Sequence, residues 1–221
     1  MTRTTSARLA GFLFLFYIAT GITSMVLFGH ATSGAHGTAA TLASIAQHPT
    51  SVRLTVLLTL LTFVDAVVLA VALYALTRDQ DPHLAVLALC CRVSEGVIGA
   101  ISAVTTLGLL SLATASRAAA GPDALGALLL KQGGWTGGIA AFCFALGSTF
   151  YCYLFLRARS IPVSLAWLGV LASLILVVAL PLQLAGFLSG TVTALVWIPM
   201  VLLEVPLGLW LLIKGVATGV T

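Results

Sequence analysis

Six apolar runs, each long enough to cross a lipid bilayer, constrain this chain more than any other feature. They cover Leu9–Phe28, Leu54–Leu76, Leu84–Ala113, Gly138–Leu156, Val163–Leu188 and Val192–Ile213. About 20 apolar residues in a helix match the hydrocarbon thickness of a membrane. No stretch alternates with period two, so a transmembrane barrel is not expected. Only 7% of the 221 residues are charged, against about a quarter in soluble domains. So little charge cannot solvate a surface in water. The fold expected is therefore all-α: a polytopic transmembrane helical bundle forming one integral membrane domain over residues 1–221.

The first run outlines a signal peptide, because Arg3 and Arg8 precede it. A signal core spans about 7–15 residues, and this run is longer, so it reads as an uncleaved first helix. The connections are unequal. Arg78–Pro82 and Arg157–Pro162 are short polar turns. The segments His30–Ser51 and Gly121–Gly134 are longer, and each contains a stretch suited to a short interfacial helix, Thr38–Gln47 and Asp123–Lys131. Asp123 would suit the N-terminal end of its helix and Lys131 the C-terminal end.

The net charge is +4, but the basic residues stand at helix ends rather than in runs. That pattern sets topology and gives no nucleic-acid surface. Arg3, Arg8, Arg78, Arg157, Arg159 and Lys214 fall on one side, Arg53, Arg117 and Lys131 on the other. The side richer in basic residues is cytoplasmic. Both termini are accordingly expected in the cytoplasm, and both interfacial segments outside, in a multi-pass protein of the plasma membrane.

Four charged side chains lie inside the apolar runs: Asp65, Arg92, Glu95 and Glu204. A charge at the bilayer centre costs about 2.5–3.5 kcal/mol on insertion scales. At about 1.5 Å of rise per residue, Asp65 lies about 20 Å from Arg78, and Glu95 and Arg92 about 18 and 14 Å from His83. Glu204 lies about 15 Å from Lys214. All four thus share one depth. Arg92, Glu95, Gly96 and Gly99 follow one helical face, and Thr55, Thr59, Thr62 and Asp65 form a polar stripe on the second helix. Pro199 and Pro206 bracket Glu204 and are expected to kink the sixth helix, Trp197 is placed to line a cavity, and Gln183 is a further candidate for the layer.

If all four ionise, three carboxylates and one guanidinium leave the layer with excess negative charge. Burial and like-charged neighbours both disfavour the ionised carboxylate. At least one of Asp65, Glu95 and Glu204 is therefore expected to hold a proton, or the layer a cation. Arg92 must contact an acid, and an inter-helix ion pair with Asp65 or Glu204 is expected. The same residues admit a purely structural reading, in which Arg92 neutralises one carboxylate and fixes helix register.

Other motifs carry less. Cys90, Cys91, Cys143 and Cys152 lie in apolar runs with no CxxC pair. His30, His36, His48 and His83 match no metal motif. Trp135, Tyr151, Tyr153, Trp167 and Trp210 lie toward span ends, as interfacial aromatics do. No HExxH, GxSxG or P-loop occurs, so no catalytic residue, metal site or cofactor is assigned. The partners expected are the lipid bilayer and a small molecule or cation.

Ala7-Arg8-Leu9-Ala10-Gly11 at the first span, Arg92-Val93-Ser94-Glu95 in the third, and Glu204 followed by Leu209-Trp210-Leu211-Leu212-Ile213-Lys214-Gly215 resemble a bacterial family of small membrane proteins described as a domain of unknown function. The likeness covers nearly the whole chain. It implies a six-helix membrane domain in a prokaryotic plasma membrane and carries over no activity. The leading functional reading is binding or transport of a small ligand or cation, coupled to protonation around Arg92. The alternative is a non-catalytic membrane scaffold, sensor or partner subunit.

Overall fold

A computed structural model describes residues 3–34, 36–115 and 122–216, without the side chains of Pro122 and Asp123. The expectations for Arg117 and for the Asp123 side chain lie outside these. The described residues form eight helices: α1 (Arg3–Thr32), α2 (Thr38–Gln47), α3 (Pro49–Thr77), α4 (Pro82–Ala115), α5 (Pro122–Ala158), α6 (Val163–Leu184), α7 (Val192–Leu195) and α8 (Ile198–Ile213). No strand occurs among the described residues. Proline opens α3, α4 and α5, where its missing N–H has no helical acceptor to lose. Asp81 caps α4, its Oδ1 accepting from the N–H groups of His83 and Leu84 at 3.1 Å each.

Six helical stretches are long and apolar enough to cross a membrane: α1, α3, α4, α5 from Ala124 onward, α6, and the α7–α8 stretch Val192–Ile213. Their outer faces are as apolar as their buried ones. Leu57, Val104 and Val178 are 62%, 70% and 62% exposed, the surface expected of helices that meet lipid rather than water.

Two corrections to the sequence reading concern helix boundaries. Thr38–Gln47 forms the separate short helix α2, but Asp123–Lys131 is no separate element: it is the start of α5, which continues through Gly133, Gly134, Gly137 and Gly138. In lipid every backbone group must bond within its own helix, so glycine alone does not end one. The sixth span, conversely, is interrupted at Val196 and Trp197. Pro199 has no N–H to offer the Leu195 carbonyl, and the Trp197 N–H bonds three residues back, to Ala194 O at 3.2 Å. The break thus precedes Pro199, whereas Pro206 is accommodated within α8.

The chain divides into two compact units. One comprises residues 1–17, 65–96 and 138–221. Its core includes Phe14, Leu69, Leu73, Leu76, Phe144, Phe155, Leu176, Met200, Leu203 and Leu211. Here α1 and α8 approach closely. A Cβ added at Gly11 would lie 2.6 Å from Gly208 O and would also strike the Leu212 backbone. Small residues allow such contact between membrane helices.

The other unit comprises residues 18–64 and 97–137. The buried face of α2, Leu42 and Ile45, packs in a core with Ala31, Val52, Leu109, Leu110 and Ala113. Ser44 Oγ donates to Ala31 O at 2.8 Å. Of the expected threonine stripe, Thr55 and Thr59 bond back to Ser51 O and Thr55 O on their own helix. Thr62 bonds back to Leu58 O and also reaches Thr20 Oγ1 at 3.2 Å. These hydroxyls are satisfied where they stand.

Candidate functional site

Arg92, on α4, sits in the unit formed by residues 1–17, 65–96 and 138–221 and is 1% exposed. Its stem runs beside α5, where Gly147 leaves room. A Cβ at Gly147 would lie 3.0 Å from Arg92 Cγ and 3.3 Å from Ala88 O. The guanidinium lies 4.9 Å from the Phe144 ring centre and 5.5 Å from that of Tyr17. Aromatic faces attract a desolvated cation with about 2 kcal/mol or more each. A buried guanidinium stays charged, so it requires an anion as well.

That anion is Glu95, one helical turn along α4. Arg92 Nη1 lies 2.7 Å from Glu95 Oε2, with both side chains buried. The Tyr17 hydroxyl, from α1, donates to Glu95 Oε1 at 2.5 Å. The expected inter-helix ion pair is not made: neither Asp65 nor Glu204 comes within 4 Å of Arg92. The reason is geometric. An i, i+3 acid is held beside the guanidinium by the helix itself. The link between helices is supplied instead by Tyr17 and Phe144.

Glu204, on α8, is partly exposed. A cavity of about 10 Å³ is lined by Arg92, Ser148, Tyr151 and Glu204, with Phe14, Leu73, Cys152, Phe155, Met200, Leu203 and Leu207 completing the wall. This is about the room that one water requires. The Tyr151 hydroxyl donates to Ala70 O at 3.0 Å, which leaves its oxygen lone pairs as acceptors.

Asp65 is also buried, at 4% exposure, and neither carboxyl oxygen has a hydrogen-bond partner. It lies off the cavity wall. Trp197, at the break before α8, does not touch the cavity; its ring stacks on Phe144 at 6.4 Å. Gln183 is exposed and joins no polar layer. Tyr151, expected in an interfacial belt, is instead buried at 3% exposure, whereas Trp135, Tyr153 and Trp167 do face outward.

The sequence reading missed Tyr17, Phe144, Ser148 and Gly147. For Tyr17 a signal existed. It lies mid-span in α1, nine residues past Arg8, where a phenol needs a buried acceptor. Tyr17→Phe is expected to lower stability by about 1.5–3 kcal/mol, the range for a hydrogen bond to a charged group, read from unfolding in detergent micelles. A change below about 0.5 kcal/mol, the bottom of the range for ordinary hydrogen bonds, would remove this bond from the site.

Six helices of spanning length, one of them carrying a buried ion pair, define a polytopic α-helical membrane protein. The chain belongs to the family described as Domain of unknown function (DUF4386), whose pattern matches residues 9–215. The likeness noted at both ends of the chain and in the third span is thereby borne out. No curated protein and no solved structure matches it.

Proposed function

We propose that the chain is a multi-pass protein of a prokaryotic plasma membrane that binds a proton or a small cation at Glu204, beside Arg92, and uses that binding in transport or sensing. The observation that carries this reading is the water-sized cavity onto which both Arg92 and Glu204 open. A carboxyl group with internal room beside it, deep in an apolar span, can exchange a proton or bind an ion without the helices separating. Intramembrane carboxylates of this kind typically mark ion or proton pathways. Asp65, buried without a partner, is a second protonatable group in the same unit.

Purified protein in lipid nanodiscs tests the site. Its unfolding midpoint is expected to change with pH or with added Li+, Na+ or K+ against a choline control. Glu204→Gln is expected to abolish that response. A response of equal size in both proteins, or none in either, removes Glu204 from function.

A specific observation favours the second reading, a scaffold or partner subunit. Glu95 is held on both oxygens, by Arg92 and Tyr17, as a purely structural cluster would be. On that reading the charges only set helix register.

The distribution of basic residues supports both termini in the cytoplasm. In a variant lacking the four cysteines, a membrane-impermeant thiol reagent is expected to label Ser33→Cys and Ala124→Cys from outside intact cells, and to leave Gln80→Cys unlabelled. The reverse pattern inverts the topology.

A further inference from the structure

We infer that the ion handled at this cavity is the proton, taken up by the Glu204 carboxylate with a single water bridging it to Arg92, and that metal cations are excluded. The inference rests on the Glu204 reading above and names its ligand.

Size comes first. A cavity of about 10 Å³ has room for about one water. A metal ion would have to arrive stripped of its hydration shell and find its ligands in the wall. The wall offers few oxygens: the Glu204 carboxyl, the Ser148 hydroxyl, and the Tyr151 hydroxyl, which already donates to Ala70 O. The remaining lining is mostly Leu, Phe and Met.

Arg92 opens onto the same cavity, and its guanidinium is permanently cationic. That charge opposes a proton and a metal ion alike, so the choice between them rests on room, and a proton needs no ligand shell of its own. The one water that fits can bridge the guanidinium and the Glu204 carboxylate. It can accept from an Arg92 N–H not turned to Glu95 and donate to Glu204, Ser148 or Tyr151. That gives it the two to four partners a buried water needs.

The groups facing Glu204 from the neighbouring helices bear on its protonation. Arg92 and Glu95 face it from α4. From α5 come Cys152 and Tyr151, and from α1 Tyr17; α3 presents apolar Leu73. Helix α6, which packs on α8, carries no ionisable side chain. Glu95 is already held by Arg92 and Tyr17 and Asp65 lies off the wall, so Glu204 is the carboxyl on this cavity that is free to change state. The step is simple protonation: carboxylate plus H+ gives the neutral acid, with no electron transferred and no other bond broken.

The experiment separates this inference from the reading beneath it. Full-length protein in nanodiscs is unfolded thermally across pH 5–8 at fixed ionic strength. At each pH it is then unfolded with Li+, Na+ or K+ replacing choline. Expected is a pH-dependent midpoint whose dependence is lost in Glu204→Gln and kept in Glu204→Asp, with no difference among the four cations. A Glu204-dependent shift with a metal cation at constant pH would overturn the proton assignment while leaving Glu204 as the site. Dependence on neither pH nor cation would overturn both. Should Glu204→Gln fail to fold, Ser148→Ala keeps the test. The bridging water then loses a wall partner, and the pH response is expected to shift, with cation indifference retained. A pH response identical to wild type in Ser148→Ala would place the protonation outside this cavity.

Discussion

Arg92→Ala is expected to destabilise the protein by about 3–5 kcal/mol, the usual result of removing one partner from a buried ion pair. The substitution strands Glu95 as a buried carboxylate whose remaining partner is the Tyr17 hydroxyl. It also removes the cation from the Phe144 and Tyr17 rings and empties the slot beside Gly147. Arg157→Ala is the control. Arg157 is half-exposed and lies 3.8 Å from Asp81, a contact worth about 0–1 kcal/mol. The measurement is unfolding by SDS titration from mixed micelles. Equal effects of the two substitutions would show that Arg92 holds nothing together.

The size of that loss does not measure how much the pair contributes. Taking two charges out of water costs several kcal/mol per ion, and their attraction repays this only with good geometry. Replacing both members with apolar residues is therefore the informative companion. Arg92→Met with Glu95→Leu is expected to recover most of the stability lost in Arg92→Ala, and adding Tyr17→Phe removes the phenol left without its acceptor. If this triple variant keeps the Glu204-dependent pH response, the ion pair is structural and the function lies with Glu204 alone. If the response disappears, Arg92 takes part in it.

The spans could be read from sequence because a membrane imposes one simple demand, apolar length. Leu54–Leu76 and Val163–Leu188 fall close to α3 and α6. The depth expected for the four charges rests on the fixed rise per residue alone. Helix rotation was not. In water-soluble bundles a polar outer face reveals which side packs inward. Here Leu57 meets the outside at 62% exposure and Leu69 is fully buried, and the two residues are chemically identical. Rotation decides that Phe144 and Tyr17, rather than Asp65 or Glu204, meet Arg92. It also decides that Gly147 matters while Gly134 and Gly137, with nothing near a Cβ, do not. The second short helix failed for a related reason. Asp123 and Lys131 bound a short run of small and apolar residues, and composition could not tell a separate element from the start of α5.

Gly11→Ala is expected to be destabilising by about 3 kcal/mol, at or beyond the upper end of the range for overpacking. Most small-to-large changes are relieved by a side chain turning away. At Gly11 the new methyl group meets backbone, with Gly208 O at 2.6 Å and the Leu212 backbone also in its way, so relief requires α1 and α8 to separate. Separation would also loosen Phe14 and Leu15, whose side chains pack on Gly208. Phe14 and Leu207 share the cavity wall with Glu204, so the pH response should weaken along with stability. Gly21→Ala, later in the same helix, is the control: nothing lies within 4 Å of its Cβ. Alanine is the better helix former by about 0.5–1 kcal/mol, so this variant is expected to match or exceed wild type. The two substitutions are chemically the same and lie in one helix, so opposite signs isolate the α1–α8 contact. Equal effects in SDS-titrated unfolding would mean that the two helices do not meet at Gly11.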